Sequence, residues 1–181
     1  GGGANVSGVS ASSFGYRAEA DGTSSLALGA SATASANGST AIGSSLDNYA
    51  SDINDTNGAT ASGIGSIAIG AATYSDFTDS STLQYQGADA SGVRAVAIGA
   101  GSVASGNQSI SFGRSASSTY NYSMALGDLA TTSRDYQIAL GTTDNTYTLA
   151  GVSSSGSTDA QDGTLYMVTT DSSGNLATTD I

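Results

Sequence analysis

Residues 95–113, AVAIGAGSVASGNQSISFG, contain the pattern from which the fold of this chain can be predicted. A small residue, an aliphatic residue, a small residue and a second large apolar residue precede glycine, at Gly99 and again at Gly113. Alternation with period two is typical of a β-strand, because successive side chains of a strand point to opposite faces. The stretch therefore predicts short strands in a fourteen-residue repeat, the step from Gly99 to Gly113.

The same pattern recurs along most of the chain, and its closing glycines stand at positions 15, 29, 43, 70, 99, 113, 127 and 141. A second alternation of small residues follows each glycine, so each repeat is predicted to hold two strands. Such a repeat is too short for a strand–helix–strand crossover. The repeats must instead stack directly as the rungs of an all-β solenoid.

Two intervals between glycines, 43–70 and 70–99, exceed one repeat. We assign the excess to insertions at about 44–63 and 71–92. In the first interval an insertion is favoured. In the second, Leu83 follows Ile69 by one repeat length and favours a hidden, degenerate rung.

The large apolar positions of each repeat are predicted to form the core, since they share one strand face. Opposite them runs a column of Ala and Ser, which either lies against another chain or fills a narrow bend. The predicted core residues are Leu26, Leu28, Ile42, Ile67, Ile69, Val96, Ile98, Ile110, Phe112, Met124, Leu126, Ile138 and Leu140.

Composition excludes several classes of function. The 181 residues include 15 acidic and 4 basic ones, and no His or Cys. The common zinc, haem and iron–sulfur ligands and the Ser–His–Asp or Cys–His devices are therefore missing. A net charge of −11 disfavours nucleic acid. We expect no enzyme, no cofactor and no metal. The residues from Asp52 onward do not match an EF-hand loop, which needs Gly at position 6 and Glu at position 12. Here these positions hold Asn57 and Gly63.

The copies Ser66-Ile67-Ala68-Ile69-Gly70 and Val96-Ala97-Ile98-Gly99, with the Ala/Ser alternation that follows, resemble the head repeats of YadA-like trimeric autotransporter adhesins (type Vc secretion). The resemblance covers residues 1–141. It implies a left-handed parallel β-roll, a homotrimer, and attachment to the outer membrane of a Gram-negative bacterium through an anchor outside this sequence. It also implies a cell-surface virulence factor.

Residues 142–181 depart from the repeat and resemble the connectors that lead toward a coiled-coil stalk. Residues 153–157 are rich in Ser and Gly and are predicted to be flexible. Residues 164–169 and 175–178 flank the turn Asp171-Ser172-Ser173-Gly174, which predicts a β-hairpin.

The resemblance implies an adhesin head that attaches bacteria to host extracellular matrix protein, cell-surface glycan or abiotic surfaces. A trimeric phage tail-fibre or spike segment that binds a receptor is the alternative. Binding residues are commonly carried by loops on a rigid scaffold. The candidate ligand contacts therefore lie in the two excursions: Tyr49, Asp52, Tyr74, Phe77 and Tyr85.

The arginines and the Asn-x-Ser/Thr triplets are interpreted without a ligand-binding role. Each of the four arginines is expected to lie beside an acidic residue, because cations are few. The Asn-x-Ser/Thr triplets are interpreted as coincidence in a Ser-rich chain; they begin at Asn5, Asn37, Asn54, Asn107 and Asn121.

Overall fold

A computed structural model describes residues 3–45, 58–74 and 84–180 of the chain. It divides into two compact units, Gly1–Asp144 and Asn145–Ile181. The first unit is a stack of rungs in which two-residue and three-residue strands alternate. The second unit contains a short helix and a hairpin.

The two-residue strands form sheet A, which is parallel and seven-stranded. Neighbours within the regular runs pair one repeat apart, as in Asn5↔Glu19 and Val103↔Ser117. In the order of the sheet its strands are β1 (Asn5–Val6), β3 (Glu19–Ala20), β5 (Thr33–Ala34), β7 (Thr60–Ala61), β11 (Asp89–Ala90), β13 (Val103–Ala104) and β15 (Ser117–Ser118).

The three-residue strands form sheet B, which is parallel and eight-stranded. Each is the segment that precedes a closing glycine. From one edge to the other its strands are β2 (Ser12–Phe14), β4 (Leu26–Leu28), β6 (Thr40–Ile42), β8 (Ile67–Ile69), β12 (Val96–Ile98), β14 (Ile110–Phe112), β16 (Met124–Leu126) and β17 (Ile138–Leu140).

The pairing of sheet B shows how the chain passes the two long intervals. Strand β8 pairs directly with β6 and with β12, with Ile42↔Ile69 and Ile67↔Val96 in register. The hidden rung predicted in the second interval is therefore wrong, because sheet B has no place for it. A separate antiparallel pair, β9 (Thr73–Tyr74) with β10 (Gln84–Tyr85), lies within that interval instead.

The space between the two sheets is filled only by small side chains. All the buried apolar residues in the described part of the chain are alanines, and the largest fully buried side chains are serines. Ser111 Oγ donates to the carbonyl of Val103 at 2.7 Å, and the hydroxyls of Ser118 and Ser123 lie 2.7 Å apart. These hydrogen bonds satisfy polar groups that would be costly to bury alone.

The predicted core is therefore wrong for a single chain, because the large apolar residues point away from the interior. Phe112 is 55% exposed, Leu140 51% and Ile138 65%. Leu28 and Ile67 are also exposed, and the other members, Leu26, Ile42, Ile69, Val96, Ile98, Ile110, Met124 and Leu126, are half-buried. Alternation distinguishes the two faces of a strand but does not show which faces inward. Here the rung is too tight for large aliphatic or aromatic side chains.

Bends recur twice in each rung, so each rung contains two half-rungs. Left-handed backbone occurs at Ser10, Arg17, Ser24 and Ser31, and again from Arg94 onward. Glycine also recurs at the repeat spacing, but there the reason is the close approach of the next rung. A Cβ on Gly99, where φ is +129°, would lie 2.5 Å from the carbonyl oxygen of Gly113 in the next rung. Close stacking of backbones therefore requires glycine there.

The second unit has no buried residue in its described part. Strands β18 (Tyr166–Thr170) and β19 (Leu176–Asp180) pair antiparallel, which confirms the predicted hairpin. The stretch predicted as flexible, 153–157, overlaps α1 (Ser155–Asp159). Ser154 caps this helix by accepting a hydrogen bond from the Ser157 amide at 3.1 Å.

Candidate binding surfaces

The outer face of sheet B is apolar along most of the roll, with Ser12 and Thr40 as the polar members of its outward columns. In every three-residue strand between the edge strands β2 and β17 the middle residue, such as Ala97 or Ala125, is fully buried, so its two neighbours point outward. Because the strands pair in register, the outward residues form two continuous columns. Isolated apolar side chains on a surface are ordinary, but a continuous apolar patch marks an interaction site.

The outer face of sheet A is polar in the corresponding positions. Between β3 and β15, one outward column of sheet A consists of Glu19, Thr33, Thr60, Asp89, Val103 and Ser117. Val103 is the one apolar member of this column. The two sheets thus share one interior but present different exteriors.

Asp89 is the described carboxylate most affected by its surroundings. Burial raises its pKa above the ordinary 3.8, while a hydrogen bond with the Ser91 side chain lowers it by less. Its Oδ1 is buried without a hydrogen-bond partner in the described part of the chain. The ionised form is therefore disfavoured in the folded state.

The structure describes only part of the candidate contacts in the excursions. Tyr49, Asp52 and Phe77 lie outside the described residues. Tyr74 and Tyr85 are brought onto neighbouring strands, since Tyr74 pairs with Gln84 and Tyr85 with Thr73. Whether any of the five contacts a ligand stays a prediction.

A ladder of side chains follows one bend of the roll, and the sequence analysis missed it. Asn107 Oδ1 accepts the Val93 amide at 3.1 Å, and Asn121 Oδ1 accepts the Asn107 amide at 3.0 Å. Asp135 Oδ1 continues the ladder by accepting the Asn121 amide at 2.9 Å. Asn37 does the same for Thr23. The recurrence of Asn or Asp at the repeat spacing is the sequence pattern from which this ladder could have been predicted.

The arginines have more than one kind of neighbour. Arg114 Nη2 lies 2.6 Å from Asp128 Oδ2, one rung away, as expected. Arg17 lies instead over the ring of Tyr16, 5.2 Å from its centroid. A pair of exposed groups such as Arg114 and Asp128 contributes only about 0–1 kcal/mol.

A stacked pair of tyrosines lies at the bend beside the Asn ladder. The rings of Tyr122 and Tyr136 are nearly parallel, 6° apart, with centroids separated by 4.8 Å. Sequence reasoning did not single them out, because they lie in regular rungs outside the excursions.

Neither a metal cluster nor a membrane span is found in the described ranges. No group of three or more acidic side chains there could hold a metal ion, and His and Cys are absent from the sequence. The only helix described, α1, is far too short to cross a bilayer.

Comparison with known proteins agrees with the repeat. The model of the YadA head domain repeat matches residues 7–32, 20–45, 57–73, 90–116 and 121–143, together more than half of the chain. The fold is similar to the crystal structure of the collagen-binding domain of the Yersinia adhesin YadA. The identity is 23%, the TM-score is 0.50, and the match covers 81% of this chain and 74% of that one. No curated protein matches the chain.

Proposed function

Since this chain belongs to the YadA head domain repeat family, we propose that it is the attachment head of a homotrimeric, non-enzymatic bacterial surface adhesin. The observation that carries the proposal is the apolar outer face of sheet B. In the described ranges the buried side chains are Ala, Ser and Thr132, so the roll gains little from burial, because the gain scales with apolar area. The large apolar side chains can contribute fully only when another copy covers them.

Self-association through this face accounts for the distribution of large residues in the repeat. The outward positions of β12 and β14, Val96, Ile98, Ile110 and Phe112, are aliphatic or aromatic. Their counterparts on sheet A are mainly hydroxyl and carboxyl groups. A soluble monomer would place such a continuous apolar surface against water, which is unfavourable. Three copies arranged about one axis would bury it.

The attachment target that best fits the comparison is an extracellular matrix protein, because the similar YadA domain is described as collagen-binding. Cell-surface glycans and abiotic surfaces are further targets. The two excursions, with Tyr49, Asp52, Tyr74, Phe77 and Tyr85, supply candidate contacts. The same proposal includes export to the cell surface, an outer-membrane anchor and a role in virulence. It also assigns residues 142–181 as the connector to a stalk.

Molecular mass in solution and binding to collagen test the two halves of this proposal. Light scattering after size exclusion should give three times the 17.6 kDa of one chain at micromolar concentration. A monomeric mass would contradict the trimer. The same sample should bind immobilised collagen and not immobilised serum albumin, which serves as the control protein. Equal binding to both would contradict matrix recognition.

A further inference from the structure

One bend of the roll has bulky side chains at positions where the fold requires only a left-handed backbone. Arg94, Gln108, Tyr122 and Tyr136 all have φ between 55° and 59°. The same bend in earlier rungs has Ser10, Ser24, Gly38 and Gly65, also at positive φ. A left-handed conformation costs about 1–2 kcal/mol for a residue with a Cβ. The left-handed backbone alone does not favour a tyrosine over the serine or glycine used elsewhere.

These four residues form a continuous strip along the roll, here called the bend strip. The amide of each donates to a carbonyl of the preceding rung: Arg94 to Ile64 at 2.8 Å, Gln108 to Val93 at 2.8 Å, Tyr122 to Asn107 at 2.9 Å and Tyr136 to Asn121 at 3.1 Å. The backbone therefore stacks rung on rung, and their side chains leave it at a regular spacing of about 4.8 Å.

In the single chain the bend strip is exposed, and stacking and hydrogen bonds support it at its tyrosine end. Tyr122 is 47% exposed and Tyr136 75% exposed, although their rings stack on each other. The neighbouring Asn107, Asn121 and Asp135 are held by the ladder of hydrogen bonds to backbone amides. An exposed phenol ring offers an apolar face and a polar tip. The neighbouring amide, carboxyl and guanidinium groups add hydrogen-bonding partners.

Charge and size narrow the class of ligand. Residues 86–141 contain three arginines and three aspartates, so this part is neutral although the chain carries −11. Neither a polyanion nor a polycation is favoured there. The strip is one residue wide and spans three rung steps, roughly 15 Å. A protein partner normally covers about 800 Å² on each side, which this strip does not offer.

We propose that the bend strip binds a neutral oligosaccharide of a few sugar units, aligned along the roll. The apolar C–H face of a pyranose ring packs on the exposed ring of Tyr136 and on the uncovered part of Tyr122. Gln108, Asn121 and Arg94 provide donors and acceptors for the sugar hydroxyls. This proposal rests on the attachment function proposed above, to which it adds a site for glycans separate from the excursions.

Titration of the full chain with cellohexaose and with chitohexaose tests the site. We expect saturable binding of at least one of these probes, and no binding of the polyanion heparin. The variant Tyr136→Ser should bind roughly tenfold more weakly, in line with the contribution of one aromatic stacking contact. Tyr122→Ser/Tyr136→Ser should bind still more weakly. Tyr136→Phe keeps the ring and should retain most of the affinity.

The substitutions are chosen so that folding is preserved. Serine occupies the same bend at Ser10 and Ser24, so the far-UV spectrum and the mass of the double variant should equal those of the parent. Tyr16→Ser removes an exposed tyrosine in another part of the roll and should leave binding unchanged. A parent that binds neither probe, or a double variant that binds as well as the parent, would overturn the proposal.

Collagen binding, measured on the same samples, separates this site from matrix attachment. The double variant should keep its collagen binding while losing the oligosaccharide. Loss of collagen binding with no oligosaccharide effect would assign the strip to a protein partner and overturn the glycan site. A parent that binds the sugars but not collagen would contradict matrix recognition and support the bend strip.

Discussion

Sheet A and sheet B are built from the same repeat, yet only one of them has an apolar exterior. Both contribute Ala and Ser to a common interior. Outside, sheet A has a polar column that includes Thr33, Thr60 and Asp89, whereas the columns of sheet B are aliphatic or aromatic except at Ser12 and Thr40. The interior therefore determines the shape of the rung, while the exterior determines which surface the rung can associate through.

The interior should tolerate no enlargement in either sheet. Ala97 on sheet B and Ala104 on sheet A are both fully buried. Ala97→Leu and Ala104→Leu should each destabilise the fold by about 3 kcal/mol, the upper end of typical overpacking costs. Chemical denaturation followed by circular dichroism measures this. Ile98→Leu, an outward substitution of equal size, is the control. A free energy of unfolding unchanged in Ala97→Leu would contradict the assignment of the interior.

The exteriors should respond differently to the same charge. Ile98→Asp places a carboxylate on the apolar face of sheet B, and Val103→Asp places one on the polar face of sheet A. We expect Ile98→Asp to shift the mass in solution toward the monomer, because a charge buried at an interface without a partner is costly. Val103→Asp should leave the mass unchanged. If both variants kept the parental mass, sheet B would not be the association surface.

The smallest expected effect concerns Asp89, the acidic residue in the polar column of sheet A. Burial raises the pKa of this carboxyl, so the folded state binds its proton more tightly than the unfolded state does. The protonated carboxyl therefore stabilises the folded state fully at a pH below the ordinary pKa of 3.8. This stabilisation is lost as the pH rises through the higher pKa that Asp89 has in the folded state.

Asp89→Thr, which introduces the residue found at Thr33 and Thr60, should remove this loss. We expect the variant to melt at a higher temperature than the parent at neutral pH, and the difference to shrink as the solution is acidified toward the ordinary pKa of 3.8. Glu19→Thr removes a charge from an exposed position of the same column and serves as the control. A parent that is more stable than Asp89→Thr at neutral pH would contradict the effect of burial.

The predictions that succeeded rested on the periodicity of the sequence. Those that failed concerned which face of a strand points into the roll. The constant repeat length predicted parallel stacked rungs, because register at a fixed spacing follows from repeated strands. The small column represented by Ala97 could not be assigned inward or outward from the sequence. The bends at Tyr122 and Tyr136 were missed, because neither tyrosine carries the glycine signal that usually marks a left-handed backbone.

The spacing of the closing glycines was enough to predict the rung length and the strand before each glycine, the turn residues predicted the hairpin, and the composition excluded His and Cys chemistry. That Ala and Ser fill the interior, and that Leu, Ile and Phe lie outside, became clear only from the packing of the two sheets. The cause is the width of the rung. Two short strands joined by bends at every half-rung leave room between the sheets for a methyl or hydroxymethyl group, and period-two alternation carries no information about that width.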